Sequence, residues 1–358
     1  MAIRSDQSFF FVGASSGQPG IQALLFDNAT GGLSMCGSYA SIVNPSFLLA
    51  HPNGRWLYAV SETGKESHGT PGEVWALKFE RDPFSIEVIN HRSSGGDWPC
   101  HLQFDGAHTC LVTTNYGSGS AAIYPLQSDG SLAGMTDLVQ HQGRGSNTAR
   151  QEGPHAHSSI FTPQDRFVIV ADLGIDQLVI YEFDQVLFKM KPHSSVSTRP
   201  GAGPRHFALH SNEKSLYVAN ELDSTVTLYD LDPANGVLLE RQTLSTIPGG
   251  SPENIVADIH LSASGERLYV SNRGHNSIAV FDVQSDGSLT LVSTRDCGGN
   301  WPRNFALAPG EQFMLVANQY SNKVCVLPIL QGAAALGSPI AQTPATGVSC
   351  IRFVPAHE

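Results

Sequence analysis

The sequence predicts an all-β chain folded as a seven-bladed β-propeller, and three observations predict it. One segment recurs at a near-fixed period through the 358 residues. Each copy carries four short strand patterns separated by turn signals. The two chain ends each hold part of one further copy, so together they complete a blade.

The recurring segment is NPSFLLAHPNGRWLYAVSE from Asn44, WPCHLQFDGAHTCLVTTNY from Trp98 and PHAHSSIFTPQDRFVIVADL from Pro154. It returns as GPRHFALHSNEKSLYVANEL from Gly203, VADIHLSASGERLYVSNR from Val256 and WPRNFALAPGEQFMLVANQ from Trp301. The residues closing the second strand are Ser61, Asn115, Asp172, Asn220, Asn272 and Asn318, spaced 54, 57, 48, 52 and 46 residues apart. Around Arg205 the four strand patterns are RHFALH, SLYVANE, TVTLYDLD and VLLERQTL, with turns at SNEK, LDS and DPANG. β-Branched and aromatic residues broken at such short intervals read as antiparallel strands. The N-terminal FFFVGAS supplies a strand near Gly13, and the C-terminal GVSCIRFVPA from Gly347 supplies its missing partner. Four-stranded antiparallel blades, with N- and C-terminal strands sharing one blade, close the ring. Radial repetition leaves only short edges, and one domain spans residues 1–358.

Bulk properties exclude several function classes. A net charge of −11, with no basic run, argues against a nucleic-acid partner. No stretch is long and apolar enough to cross a membrane as a helix. The six cysteines form no C-x-x-C pair and match no zinc spacing, so free thiols are expected. The N-terminus MAIRSDQSFFFVGASS reads as a strand and not as a signal peptide, which makes the cytoplasm the expected location. The glycine-rich stretches at 115–119 and 201–203 do not lie between a strand and a helix, so neither reads as a nucleotide loop. No G-x-S-x-G nucleophile elbow occurs.

The repeat also says which side chains meet. Residues entering the first strand of a blade lie beside residues leaving the second, and in a propeller both ring the mouth of the axial channel. The entering column is Ser46, Cys100, His157, Arg205, Ala257, Arg303 and Ser349. The leaving column is Glu62, Tyr116, Leu173, Glu221, Arg273 and Gln319. Ionisable groups gather on consecutive blades: His157, then Arg205 with Glu221, then Arg273, then Arg303. A purely structural column would repeat one residue type, as the Asn column nearly does; that column reads as turn chemistry.

The arginines suit a carboxylate or phosphate, which a guanidinium fork binds bidentately. Glu221 is either the counter-charge of Arg205 or a general acid or base. His155 and His157 flank Ala156 and face one way on a strand, which offers a metal pair or one acid–base histidine. No third ligand stands at a metal spacing, and His157 is the one in the ring column. His206 and His101 hold matching positions with opposite strand parity to Arg205, which suits hydrogen bonds between blades. His260 lies deeper in its strand.

With those residues placed, the chain resembles the seven-bladed propeller lactonases. This family includes the propeller-type 6-phosphogluconolactonase and 3-carboxy-cis,cis-muconate lactonizing enzyme. The resemblance is carried by GPHAHS at 153–158, DLGIDQLVIYEF at 172–183, GAGPRH at 201–206, VANELDSTVTLYDL at 218–231, ADIHLSASGERLYVSNR at 257–273 and NYGSGSAAIYPL at 115–126. It implies an axial site of a histidine, two arginines and a glutamate: His157 (or His155), Arg205, Arg273 and Glu221. It implies no metal and no organic cofactor, and a small anionic lactone as substrate. His155, His206, Arg303, Glu62 and Tyr116 are expected to add substrate contacts. Hydrolysis of a sugar-acid lactone is the expected reaction, with His157 and Glu221 sharing the acid and base roles. Cycloisomerisation of a muconate would use the same groups, and a non-catalytic scaffold would not need them.

Overall fold

Burial falls off along each blade in the way that radial stacking requires. In the blade built around Arg205, the second strand, Ser215–Asn220, is buried at every residue, because both its faces pack on neighbouring blades. The fourth strand, Val237–Ser245, is mostly exposed. The structure, a computed structural model, describes residues 4–15, 19–250, 253–332 and 335–355. Those residues form seven four-stranded antiparallel sheets.

We number the blades from the one that joins the chain ends. Blade 1 is ordered Val348–Phe353, Gln7–Ala14, Pro19–Asp27, Leu33–Val43, so the C-terminal strand is innermost. The inner strands of blades 2 to 7 are Leu48–Ala50, Pro99–Phe104, Ala156–Phe161, Pro204–Leu209, Ile255–Leu261 and Pro302–Leu307. Each touches the inner strand of the next blade, and the blade 7 strand touches that of blade 1, so the ring is closed. Apolar side chains fill the spaces between blades. Tyr217, Ala219, Val226 and Leu228 of blade 5 pack on Val256, Ile259, Leu268 and Val270 of blade 6. Burying such side chains is worth about 1.5–3 kcal/mol each, which makes blade contacts the main source of stability.

The Asn column does more than local turn chemistry. Five of its six side chains reach back to the end of the outer strand of the preceding blade or just beyond it. Asn115 Nδ2 donates to the Ser94 carbonyl at 3.0 Å, and Asn318 Nδ2 to that of Cys297 at 3.1 Å. Ser61 Oγ bonds the Val43 carbonyl at 2.8 Å, and Asp172 Oδ2 accepts from His141 Nδ1 at 2.6 Å. Thr246 Oγ1 bonds Asn272 Oδ1 at 2.6 Å. Each is a latch between adjacent blades.

One local feature positions the site. In six of the seven inner strands the pairing register slips by one residue near the strand start. In five of them the extra residue is Ser349, Cys100, His157, Arg205 or Arg303, a member of the entering column. In blade 6 Ala257 and Asp258 together oppose Ser271. A β-bulge leaves its extra residue unpaired and re-aims the side chain, here into the channel mouth.

Candidate active site

The backbone sets the two columns side by side. The amide of each leaving residue bonds the carbonyl two positions before the entering residue: Glu62 to Asn44, Tyr116 to Trp98, Leu173 to His155, Glu221 to Gly203 and Gln319 to Trp301, all at 2.7–3.0 Å. The side chains therefore converge on the axis.

Glu221 is the centre of the cluster. Its Oε2 accepts from Arg205 Nε at 2.9 Å and lies 2.7 Å from Arg273 Nη2; its Oε1 accepts from Arg150 Nη2 at 2.7 Å. Glu221, Arg205 and Arg273 are buried. Burial pushes the Glu221 carboxyl up, but Arg273, Arg205 and Arg150 outweigh it and hold it well below the usual carboxylate range. It is ionised throughout the physiological range. Arg205 Nη1 donates to the Ala257 carbonyl, and Arg273 Nη2 to that of Val256 at 2.8 Å. Arg273 also lies over the Trp301 ring, 5.6 Å from its centroid. Three guanidiniums against one carboxylate leave two positive charges uncompensated in this half of the mouth.

The histidines surround Tyr116. His155 stacks on the Tyr116 ring at 4.4 Å and 11°, and its Nδ1 lies 2.9 Å from the Tyr116 carbonyl. His157 meets the same ring edge-on at 5.6 Å. Tyr116 Oη accepts from Arg150 at 3.3 Å, which joins this group to the guanidinium cluster. Burial, then the charges of Arg205, Arg303 and Arg273 with His206, holds His157 well below the ordinary imidazole value, so it is neutral at pH 7. Beside it, burial and Glu62 push the Cys100 thiol up to about 12, which removes it as a nucleophile.

Arg303 and Glu62 form a looser pair across the mouth, with Nη2 and Oε2 3.8 Å apart. They border a pocket of about 360 Å³ that also includes Trp98, His68 and Tyr320.

His206 sits behind Arg205 and not opposite it. Strict strand alternation sends the two side chains to opposite faces, but the bulge at Arg205 breaks the alternation and brings His206 Nε2 within 3.2 Å of Arg205 Nη1. The inter-blade hydrogen bond is present: His206 Nδ1 lies 2.8 Å from Asp258 Oδ1. Since Arg205 can only donate, Nε2 accepts and Nδ1 carries the proton. Asp258 also takes His260 Nε2 at 2.9 Å, Asn304 Nδ2 and the Phe305 amide at 3.3 Å. His206, Asp258, His260 and Asn304, with His101, line a rear pocket of about 130 Å³ on the axis.

The charged column residues do gather at the mouth, His206 lies behind them, and two neighbours fall outside the sequence reading, Arg150 and Asp258. Arg150 lies in the segment between Asp137–Gln140 of blade 3 and the inner strand of blade 4. Gln151 anchors that segment by donating to the Leu173 carbonyl at 2.8 Å. The 57-residue interval, the longest in the repeat, is the signal that this connection carries an insertion. Asp258 was visible only as an acid, two residues before His260, inside a mostly apolar inner strand. Among the described residues no group of three or more His, Cys, Asp or Glu side chains could hold a metal ion. No described helix is long and apolar enough to cross a membrane.

Residues 9–353 match the family model described as "Lactonase, 7-bladed beta-propeller". The 6-phosphogluconolactonase of Bacillus subtilis is 36% identical over 306 residues, 85% of each chain. That of Formosa agariphila is 33% identical over 315 residues, 86% of this chain and 87% of its own. The periplasmic gluconolactonase of Pseudomonas aeruginosa superposes with a TM-score of 0.91 at 29% identity, covering 97% of this chain and 99% of that one. With the fold, the axial cluster and these similarities in agreement, the chain belongs to the seven-bladed β-propeller lactonase family.

Proposed function

We propose that the chain hydrolyses a phosphorylated sugar-acid lactone of the 6-phosphogluconolactone type. One observation carries the reading: Arg150, Arg205 and Arg273 surround a single carboxylate and leave two positive charges in excess. A phosphate monoester brings nearly two negative charges and three acceptor oxygens, which matches that surplus. The similar Bacillus and Formosa proteins bear the name of this activity.

In this reading Arg205, Arg273 and Arg150 hold the phosphate, and the ionised Glu221 holds the guanidiniums. The neutral His157 takes a proton from water as the water oxygen attacks the lactone carbonyl carbon. Arg303, in the same bulge position as Arg205, meets the charge that grows on the carbonyl oxygen. The ring C–O bond then breaks, and the leaving alkoxide takes the proton from His157, which yields the open-chain acid. His155 holds Tyr116, and through it Arg150, by stacking. Cycloisomerisation of a carboxymuconate is disfavoured, because it needs a proton donor and neither His157 nor Glu221 is in its acid form at neutral pH. No metal enters this scheme. The six cysteines are all free thiols, which suits a reducing compartment such as the cytoplasm.

The test is an indicator assay on 6-phosphogluconolactone, gluconolactone and 3-carboxymuconate. The expected result is hydrolysis of the phosphorylated lactone with kcat/KM about 100-fold above the free lactone, the order of one or two charge-assisted contacts. Equal kcat/KM on the two lactones removes the phosphate from the reading. Turnover of carboxymuconate alone replaces hydrolysis with cyclisation.

A further inference from the structure

The guanidinium cluster occupies one half of the mouth. The other half, over blades 7, 1 and 2, holds the pocket of about 360 Å³ bordered by Arg303 and Glu62. Among the described residues Trp98 and Tyr320 are the only exposed Phe, Trp or Tyr side chains, and both line this one pocket. An exposed large aromatic is the informative exception on a protein surface, and two in one pocket are not scattered.

Both rings are fixed. Trp98 Nε1 donates to Ser67 Oγ at 3.0 Å. The indole also lies against two glycines: a Cβ on Gly64 would come within 2.7 Å of Nε1, and one on Gly117 within 3.2 Å of Cδ2. Tyr320 lies on Trp301 at 4.7 Å and 18°, and Trp301 carries the Arg273 guanidinium on its ring. The Tyr320 side of this aromatic wall is therefore continuous with the charged cluster. Glu62 borders the same pocket with its side chain partly exposed, and its Oε2 lies 3.8 Å from Arg303.

This chemistry selects a neutral, polyhydroxylated ring. Aromatic faces are electron-rich and take the C–H face of a sugar ring. A partly exposed carboxylate accepts hydroxyls, and an apolar ligand would desolvate it without a partner. Glu62 offsets Arg303, so this half offers no charge surplus to a second anion.

We propose that the pocket over blades 7, 1 and 2 is a sugar-ring subsite, in which Trp98 and Tyr320 receive the ring face and Glu62 accepts its hydroxyls. The proposal rests on the lactonase reading: the phosphate lies on the arginines and the ring extends toward Trp98.

Calorimetric titration separates the two halves. The probes are inorganic phosphate, D-gluconate and gluconate 6-phosphate, and the variants are Trp98→Ala, Trp98→Phe, Tyr320→Ala and Glu62→Gln. Trp98→Ala and Tyr320→Ala should each weaken gluconate 6-phosphate about 10-fold and leave inorganic phosphate unchanged, with Trp98→Phe recovering most of the loss. Glu62→Gln should weaken both gluconate probes alike. Tyr320 is more than half exposed, so its variant keeps the test open if Trp98→Ala misfolds. Unchanged affinity for gluconate 6-phosphate in both aromatic variants overturns the subsite. So does a parallel loss of phosphate binding, or a wild type that binds neither sugar acid. A wild type that binds D-gluconate through Trp98 but not phosphate leaves the subsite standing and overturns the phosphate reading instead.

Discussion

Arg205 and His206 are adjacent in the chain, yet they serve opposite halves of the axial channel. Arg205 belongs to the front cluster, where three guanidiniums share Glu221 and two positive charges stay uncompensated. His206 belongs to the rear, where Asp258 is saturated by His206, His260, Asn304 and the Phe305 amide. The front carries more positive than negative charge, whereas the rear satisfies its carboxylate with hydrogen bonds, and Asp258 still favours the charged form of Arg205. The same inner strands build both, so the difference comes from a one-residue bulge and from which blades place arginine on it. The two halves meet where Arg205 Nη1 lies 3.2 Å from His206 Nε2 and where the His157 and His206 rings pack edge to face at 5.2 Å. The rear therefore acts as the mount for a guanidinium that the front uses.

The largest effect should come from removing the charge the front is built around. Glu221→Gln leaves the buried Arg205 and Arg273 without their counter-ion. Breaking one partner of a buried pair costs about 3–5 kcal/mol. We expect a loss of stability of that order, read by urea denaturation, and a fall in kcat/KM of about 1000-fold. Because the Glu221 carboxyl is held below its unfolded value, its stabilising contribution is full above the unfolded carboxylate range and is lost as pH falls through that range toward the folded value. Glu221→Gln should therefore flatten the acid limb of the wild-type stability curve. A variant that folds as stably as wild type with a steep acid limb contradicts this account.

A smaller effect should come from the mount. His206→Leu removes the acceptor for Arg205 and should lower kcat/KM about 10-fold, the worth of one charge-assisted hydrogen bond. If His206 acts only through Arg205, the same change in an Arg205→Lys background should cost little more. A purely structural role would give additive losses in that cycle. The pH dependence adds a second readout. Burial and Arg205 lower His206 to about 4, against Asp258, which favours the charged form. The other groups around it are His157, His101 and His260. With the folded value below the unfolded one of about 6.5, the contribution is present above pH 6.5 and is lost as pH falls toward 4. That loss is about 3 kcal/mol for wild type, and the leucine variant should lack it.

The repeat made the fold legible, because each copy shows the same strands and turns and the ends show the missing halves of one copy. The two columns were legible for the same reason, and they led to Glu221, Arg205, Arg273, His157, Arg303 and Glu62. The bulge was not legible as such. Its trace is a pair of consecutive polar residues after proline, Arg205–His206 and Arg303–Asn304, where strict alternation allows only one to face the axis. Parity reasoning therefore turned His206 away from Arg205. Arg150 escaped because a connecting segment has no column to place it in; only the length of the interval points to that insertion. The aromatic wall escaped because Trp98 and Trp301 precede the strands and lie outside both columns.

The smallest effect separates scaffold from site along the Asn column. Asn318 Nδ2 donates to the Cys297 carbonyl and its Oδ1 lies 3.1 Å from Cys297 Sγ, so it ties blade 7 to blade 6. Asn220 differs: its Nδ2 bonds Thr225 and Thr227 of its own blade, at 2.9 Å each. It is also the residue before Glu221, so its side-chain bonds fix the strand end from which Glu221 reaches the arginines. Either side chain replaced by alanine loses hydrogen bonds worth about 1 kcal/mol. Asn318→Ala should lower Tm with kcat/KM unchanged. Asn220→Ala should lower Tm by a similar amount and also reduce kcat/KM about 3-fold, because only its blade carries the carboxylate. Equal kinetics in the two variants would show that Glu221 is positioned by its guanidinium partners and not by its own strand. The front cluster would then be as self-contained as the rear.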